Sequence, residues 1–217
     1  MSGKTLKKPK KPYLIALTVV LCIMILLVYF FYPRQKTITY YSDSDKITFH
    51  SGDLVLRRGK SLVSQLVLLR DKKSEYSHIG VVIIKDEQPY VIHAVPGEAE
   101  KNEPEYVKME TMKEFLDVEK SADFAVYALK EDFRSYGQKV SDKAMTYVRN
   151  HIEFDSEFNI EDETKLYCTE LIWRAYNYAG LNLTDSIDRI NSPVYKGDFI
   201  YPSTLFSSPV FEKIYPN

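Results

Sequence analysis

Residues 166–180 read Leu-Tyr-Cys-Thr-Glu-Leu-Ile-Trp-Arg-Ala-Tyr-Asn-Tyr-Ala-Gly. Leu171, Ala175 and Tyr178 recur at i, i+4 and i+7, with Ile172 and Ala179 alongside, which predicts a helix with one face packed inward. Gly180 stands where such a helix ends in a left-handed residue. Cys168 then falls in the first turn. Unpaired backbone N–H groups and the positive end of the helix dipole favour a thiolate there. A lone free cysteine is more often a small buried hydrophobe. Its reading as a nucleophile therefore depends on whether the rest of the chain supplies a base.

The hydrophobic and charged fractions, 45% and 27%, are those of a folded protein, and 217 residues suit one membrane or targeting element plus one globular domain. The net charge of -1 hides an asymmetry. Residues 1–36 hold seven of the 29 Lys and Arg and no Asp or Glu, which leaves 22 basic against 30 acidic residues in the remainder, a net of −8. A domain that acidic is poorly suited to a nucleic-acid backbone, so no nucleic-acid partner is expected. Of the two cysteines, Cys22 lies inside an apolar run and cannot reach a domain outside the membrane. Cys168 is therefore expected to be a free thiol.

Lys4, Lys7, Lys8, Lys10 and Lys11 precede the uninterrupted apolar stretch from Tyr13 to Tyr32. A helix of that length, at about 1.5 Å per residue, matches the roughly 30 Å hydrocarbon core of a bilayer. The tyrosines at its ends suit the interfacial belts, and the basic cluster places the N-terminus in the cytoplasm. A cleaved signal peptide is the alternative, but no Ala-x-Ala-like site follows the run. A lipoprotein signal at Cys22 is disfavoured by Leu21, where a small residue is wanted. The expected organisation is a basic cytoplasmic N-terminus over 1–12, a transmembrane signal anchor over 13–32, a tether over 33–46 and one extracytoplasmic domain over 47–217, either periplasmic or extracellular.

Within that domain, Gly52-Asp53 turns the chain into a strand, Leu54 to Arg57, and Ser61 to Leu69 has helical spacing. His78 to Ile84 is a β-branched run typical of a buried strand. Gln88-Pro89 leads into a second strand, Tyr90 to Val95, so the two are expected to pair as a hairpin. An acidic loop follows over 96–105, then a helical turn at Thr111–Leu116, a strand at Phe124–Leu129 and an amphipathic helix at Gln138–His151. The aromatic, proline-bearing tail from Ile200 to Phe211 is expected to pack across the domain edge. Antiparallel strands with segregated helices make the fold α+β.

Of the four histidines, His50 reads as exposed and His151 as a cation closing a helix. His78 and His93 sit on apolar strands, where an unpaired imidazole costs a few kcal/mol. Paired about a turn near 86–88, they come within a few residues of one rung, so one can hold the other. A thiol, an imidazole beside it and a third polar group fixing the tautomer is the layout of cysteine hydrolysis. Two satisfied core histidines are the plain alternative. Zinc on Cys168, His78 and His93 is chemically possible but ranks lower, because tight ligand spacing is absent. Glu170 reads as a first-turn carboxylate and not as a site group. Arg57-Arg58-Gly-Lys60 could meet an acidic substrate or a lipid headgroup, although most such runs are solvated surface.

Gly52-Asp53-Leu-Val-Leu56, Ser77-His78-Ile-Gly80, Tyr90-Val-Ile-His93-Ala94, Phe154-Asp155 with Phe158, and Tyr167-Cys168-Thr169-Glu170-Leu171 occur in an order that resembles the YiiX/YaeF-like permuted papain-like amidases, a branch of the NlpC-type cysteine hydrolases. Tyr201-Pro202-Ser-Thr-Leu205 and Ser208-Pro-Val-Phe211 are similar to that group's C-terminal segment. The resemblance covers about residues 50–214. It implies a circularly permuted papain-like domain with a mostly antiparallel sheet, Cys168 as nucleophile and His78 as base. It also implies an orienting residue at His93, where the bacterial branch often has Glu and lecithin:retinol acyltransferase-like relatives have His. The implied activity is hydrolysis of an amide or ester through an acyl-enzyme, with cell-wall peptide or lipid-linked acyl groups as substrate classes. No cofactor or metal is implied. An acyltransferase using the same thiol and a non-catalytic binding domain are the rival readings. Nothing in the sequence sets the oligomeric state.

Overall fold

Leu54–Gly59 (β1) and His78–Lys85 (β2) pair antiparallel at the centre of a sheet, with Leu56 opposite Ile79 and Arg57 opposite His78. β1 is buried at five of its six positions and β2 at six of its eight, because both faces of the sheet are covered. Between them Leu62–Arg70 forms a helix (α1), capped by the Ser61 side chain accepting from the Ser64 N–H. Gln88–His93 (β3) returns against β2 through Asp86 and Glu87, whose positive φ angles of 50° and 60° suit a two-residue hairpin turn. The turn therefore sits just before Gln88-Pro89, and those two residues already belong to the strand.

Lys108–Thr111 (β4) extends the sheet, and Met112–Phe115 (α2) follows with a reciprocal capping box between Thr111 and Glu114. Ser121–Leu129 (β5) pairs with β1, and Gly137–Arg149 (α3) leads to two short strands, Glu153–Phe154 (β6) and Lys165–Leu166 (β7), which pair parallel. Cys168–Ala179 (α4) ends at Gly180 with φ +98°, the expected left-handed cap. Asp188–Asn191 (β8) and Lys196–Phe199 (β9) make a small hairpin before Pro202–Phe206 (α5) and Phe211–Tyr215 (β10). The main sheet runs β10-β5-β1-β2-β3-β4 with every neighbouring pair antiparallel, so the fold is α+β as expected. Of the tail from Ile200 to Phe211, Pro202–Phe206 is helix with Ile200 and Leu205 fully buried, and Phe211 begins the edge strand β10.

This computed structural model describes residues 17, 19–24, 39–99, 102–185, 187–191 and 196–216. The chain divides into two units, Met1–Thr37 and Ile38–Asn217. In the first, residues 17 and 19–24 are helical, and most of the span expected over 13–32 lies outside the described residues. Among the described residues no helix is long and apolar enough to cross a membrane.

One face of the sheet, through Leu54, Leu56, Ile79, Val81 and Ile92, packs on Val140 and Ala144 of α3 and Leu171, Ile172, Ala175 and Tyr176 of α4. The other, through Val55, Val82, Val91 and Val126, packs on Met112, Phe115 and Leu116. Tyr178, expected inward, is 58% exposed. At about 100° per residue the buried arc of α4 is centred near Ala179, which puts Tyr178 at its edge and Tyr176 inside. Tyr176 donates its hydroxyl to the Gly52 carbonyl, tying α4 to the entry of β1.

That entry is tight. Gly52 has φ +87°, and a Cβ there would lie 2.5 Å from the Gly137 Cα, while a Cβ on Gly137 would lie 2.0 Å from the Ser51 carbonyl oxygen. Gly52→Ala is expected to cost about 2–4 kcal/mol, from the left-handed backbone together with the overpacking. A urea midpoint within error of wild type would refute this close-approach account.

Candidate active site

The sequence Tyr167-Cys168-Thr169 alternates anchor, nucleophile, anchor. The Tyr167 hydroxyl accepts the Ile200 N–H at 3.3 Å, and the Thr169 hydroxyl donates to the Ile200 carbonyl at 2.6 Å. The Tyr167 ring stacks on Phe199 at 4.9 Å. The helix start is thereby clamped to the segment before α5, and Cys168, between the two anchors, lines a pocket of about 360 Å³.

His78 lines the same pocket from the start of β2. Continuing the β2–β3 register, in which Val81 faces Ile92, puts His93 opposite Gly80 and one diagonal step from His78. Gly80 carries no side chain between them, and a Cβ there would meet Val91 at 2.4 Å and the His93 Cβ at 3.3 Å. The rings therefore meet: His78 Nε2 and His93 Nδ1 are 2.8 Å apart. His93 Nε2 is in turn 3.1 Å from Glu110 Oε2 on β4.

This chain of bonds assigns every proton in it. Glu110 is held far below the usual carboxylate range by its bond to His93 and by Lys108, against the upward push of its own burial. An ionised carboxylate only accepts, so His93 donates through Nε2–H and its Nδ1 is left with a lone pair. His78 must then donate through Nε2–H, which leaves its Nδ1 lone pair as the basic atom. Phe115 packs against both rings, at 5.7 Å from His78 and 4.9 Å from His93, and holds them in this pose.

Around Glu110 lies a compact set of charges. Lys108 and Lys120 approach it at 2.8 and 3.0 Å, and both also approach Glu98, at 3.0 and 3.3 Å. Arg57 closes the set. It is buried, lies 4.7 Å over the Phe115 ring, donates to the Phe115 carbonyl at 3.0 Å and pairs with Glu98. Three cations against two carboxylates disfavour a further positive charge, so both imidazoles stay neutral. Burial holds His78 well below its ordinary pKa, with Arg57 and His93 adding to the effect, and burial holds His93 down to about 4 against the pull of Glu110.

The thiol differs from expectation. Burial pushes Cys168 up to about 11, while backbone N–H groups of Thr169, Ile79 and Cys168 itself work in the opposite direction. The helix start does aim donors at the sulfur, but desolvation outweighs them. At rest the site holds a neutral thiol and a neutral imidazole.

Of the three residues singled out in the sequence, Cys168 and His78 line one pocket, and His93 bonds to His78 without lining it. His50 stays apart, beside Asp53, and His151 packs edge-on against Tyr106. Glu170 is buried but turns away to Arg174 at 2.8 Å, and burial raises it to about 7. Arg57, grouped with Arg58 and Lys60 in the sequence, faces inward while those two are exposed. Sequence reasoning missed Glu110, and with it Glu98, Lys108 and Lys120. The available signal was the period-two alternation Val107-Lys-Met-Glu-Thr111, which marks a strand placing Lys108 and Glu110 on opposite sides from Val107 and Met109.

The far wall of the pocket is aromatic. Asp155 accepts the Glu157 N–H at 2.8 Å and the Asn159 N–H, curling the loop so that Phe158 takes φ +55° and its ring meets Phe154, Tyr167 and Phe199. The motif Phe154-Asp155-x-x-Phe158 is therefore a device for building an apolar part of the pocket lining.

Comparison with known proteins bears on the family and the fold. A family model described as permuted papain-like amidase enzyme, YaeF/YiiX, C92 family, matches residues 48–215. The chain is 25% identical to the uncharacterized protein YiiX of Escherichia coli (strain K12) over 130 residues, 59% of this chain and 58% of that protein. The match thus spans less than two thirds of that relative. The fold is similar to the crystal structure of metalloprotein yiiX from Escherichia coli O157:H7, with a TM-score of 0.61 and 19% identity over 76% of this chain and 96% of that one. At that identity the likeness is one of fold.

Two buried neutral histidines make stability depend on pH in a defined sense. The unfolded chain protonates them from pH 6.5 downward, and the folded chain resists until about 4 at His93, so stability falls as pH falls through that window. His93 alone is expected to remove about 2 kcal/mol between pH 6.5 and 5, with His78 acting in the same direction. Glu110 adds its own loss below 4.5. Urea unfolding at stepped pH checks this: His93→Gln should flatten the slope, and a slope unchanged by the substitution would contradict it.

Proposed function

Because the chain belongs to the permuted papain-like amidase family, YaeF/YiiX, C92, we propose that it is a cysteine hydrolase cleaving an amide or ester bond through an acyl-enzyme on Cys168. The observation that carries this reading is the bond chain Glu110–His93–His78, which leaves a basic nitrogen on His78, a residue that lines the same pocket as Cys168. The Cys168 S–H proton passes to His78 Nδ1 as the sulfur attacks the carbonyl carbon. The resulting oxyanion is received by the Cys168 backbone N–H at the helix start, a type of donor worth about 2.7–4 kcal/mol. His78 gives the proton to the departing nitrogen or oxygen, leaving a thioester. Water, deprotonated by His78, then attacks the thioester carbonyl and releases the acid and the thiol. Since both groups rest neutral, the proton moves with the attack and not before it. His93 and Glu110 touch no substrate and act by holding the His78 tautomer.

Peptide amides are the substrate class that the family supports. Cell-wall peptides and lipid-linked acyl groups remain the two proposed sources of the scissile bond. The anchor over 13–32, with residues 47–217 outside the cytoplasm, belongs to the same proposal and is supported by the five lysines before the apolar run. The metal carried by the structural relative's name does not fit these residues. His93 commits both ring nitrogens to His78 and Glu110, and no group of three or more His, Cys, Asp or Glu among the described residues is placed to hold a metal ion.

The test is turnover of a chromogenic ester and an acyl anilide by the full chain, with mass spectrometry of the trapped intermediate. The acyl mass should appear on Cys168, and Cys168→Ala should abolish both adduct and turnover. His78→Ala should lower kcat/KM by about 10²–10⁴-fold. Glu110→Gln, which removes a charge-assisted hydrogen bond, should lower it about 10- to 100-fold. Turnover that survives Cys168→Ala would overturn the assignment.

A further inference from the structure

The helix α1 is built against the usual rule. Six of its nine residues, Leu62, Val63, Leu66, Val67, Leu68 and Leu69, are aliphatic, yet none of its residues is buried. Leu62, Leu66 and Leu69 are 85%, 63% and 68% exposed, and their spacing of i, i+4 and i+7 puts them in one stripe. Of the seven large hydrophobic side chains described as exposed after residue 38, four lie on this helix. Scattered exposed leucines need no explanation, whereas a contiguous stripe does.

The helix is not a frayed segment. Ser61 caps its start. At its end the buried Asp71 accepts the Ser203 N–H at 2.9 Å and the Ser203 hydroxyl at 2.6 Å, pinning the helix to α5. The leucines are therefore held outward by fixed ends.

Charge says what covers them. Residues 58–73 carry five cations, Arg58, Lys60, Arg70, Lys72 and Lys73, all exposed, and one anion, Asp71, already committed to Ser203. This local excess of positive charge stands on a domain whose net charge is strongly negative. The cations flank both ends of the apolar stripe. An aliphatic stripe collared by Lys and Arg is the pattern of a helix that lies in a lipid interface, with its leucines among the acyl chains and its cations on anionic headgroups.

We propose that α1 is a membrane-docking helix that seats this domain on an anionic bilayer surface. Val63, Ser64 and Val67 of the same helix line the pocket that holds Cys168. Docking therefore lays the pocket's rim along the lipid interface, so material resident in that interface meets the site without crossing bulk water. The proposal stands on α1 alone and does not depend on the chemistry assigned to Cys168.

The test uses the full chain with Leu66→Trp in a Trp173→Phe background, so that the indole at 66 is the sole one. Fluorescence is read in vesicles of brominated phosphatidylcholine with and without brominated phosphatidylglycerol. A probe held in the interface is quenched by bromine when the anionic lipid is present and much less without it. Each surface cation is worth roughly fivefold in partitioning, so R70E/K72E/K73E should lower the docked fraction on the order of 100-fold. Absence of quenching in both vesicles would overturn the proposal, and a blue-shifted but unquenched indole would assign the stripe to a protein partner or a second copy. Equal quenching with and without anionic lipid, unmoved by the charge reversals, would also overturn it. Because the readout is spectroscopic, loss of hydrolysis by Cys168→Ala leaves it unaffected.

Discussion

A neutral imidazole buried in a sheet needs a partner on each nitrogen, and meeting that need with a second imidazole requires something to end the series. Glu110 ends it. Its ionised carboxylate sets the direction of every hydrogen bond back to His78, and so decides which His78 nitrogen keeps its lone pair. Much of the surrounding architecture reads as what keeps that carboxylate ionised inside the protein. Lys108, Lys120 and Arg57 surround it and Glu98, and a buried carboxylate persists only with such company. The hairpin register brings the rings side by side, Gly80 keeps the space between them clear, and Phe115 fills the third side. The arrangement uses two imidazoles where a single carboxyl or amide could orient the base directly. The extra ring carries the carboxylate's influence a whole ring's breadth further across the sheet, from β4 to β2.

The same charges bear on the nucleophile. At Cys168 the helix start and three backbone donors favour the anion, while exclusion of water favours the thiol and wins. The cations that hold Glu110 also suppress an imidazolium at His78. The two effects are consistent with each other, because a stable thiolate would want the positive partner that the surroundings refuse. What results is a pocket in which the thiol and the imidazoles rest uncharged.

The central hairpin, the cysteine helix with its glycine cap and the three residues Cys168, His78 and His93 were legible because each follows from local pattern: β-branched runs, helical spacing and polar residues stranded in apolar surroundings. Tyr178 was expected inward and Tyr176 was passed over, because periodicity gives a helix's inward arc only to within a residue. Glu110 was not legible for a different reason. Its strand is four residues long and emerges from a charged loop, so the local alternation can mark a strand but cannot mark Glu110 as part of a site. Its role comes from register across two strand pairs, His93 facing Lys108 and Val91 facing Glu110. Arg57 was misgrouped for the same reason, since its run of basic residues crosses from a buried strand to an exposed turn. The raised thiol was likewise out of reach, because water exclusion depends on the closed surroundings and not on the helix that carries the sulfur.

The grip of Tyr167 and Thr169 on the backbone of Ile200 has a consequence for when this protein becomes reactive. Ile200 and the edge strand that follows it are among the last parts of the domain to leave the ribosome. Until they have been made, the turn bearing Cys168 lacks both of its anchors and the sheet lacks its β10 edge. Placing the alignment of Cys168 under the control of a late segment ties its pose to completion of this domain.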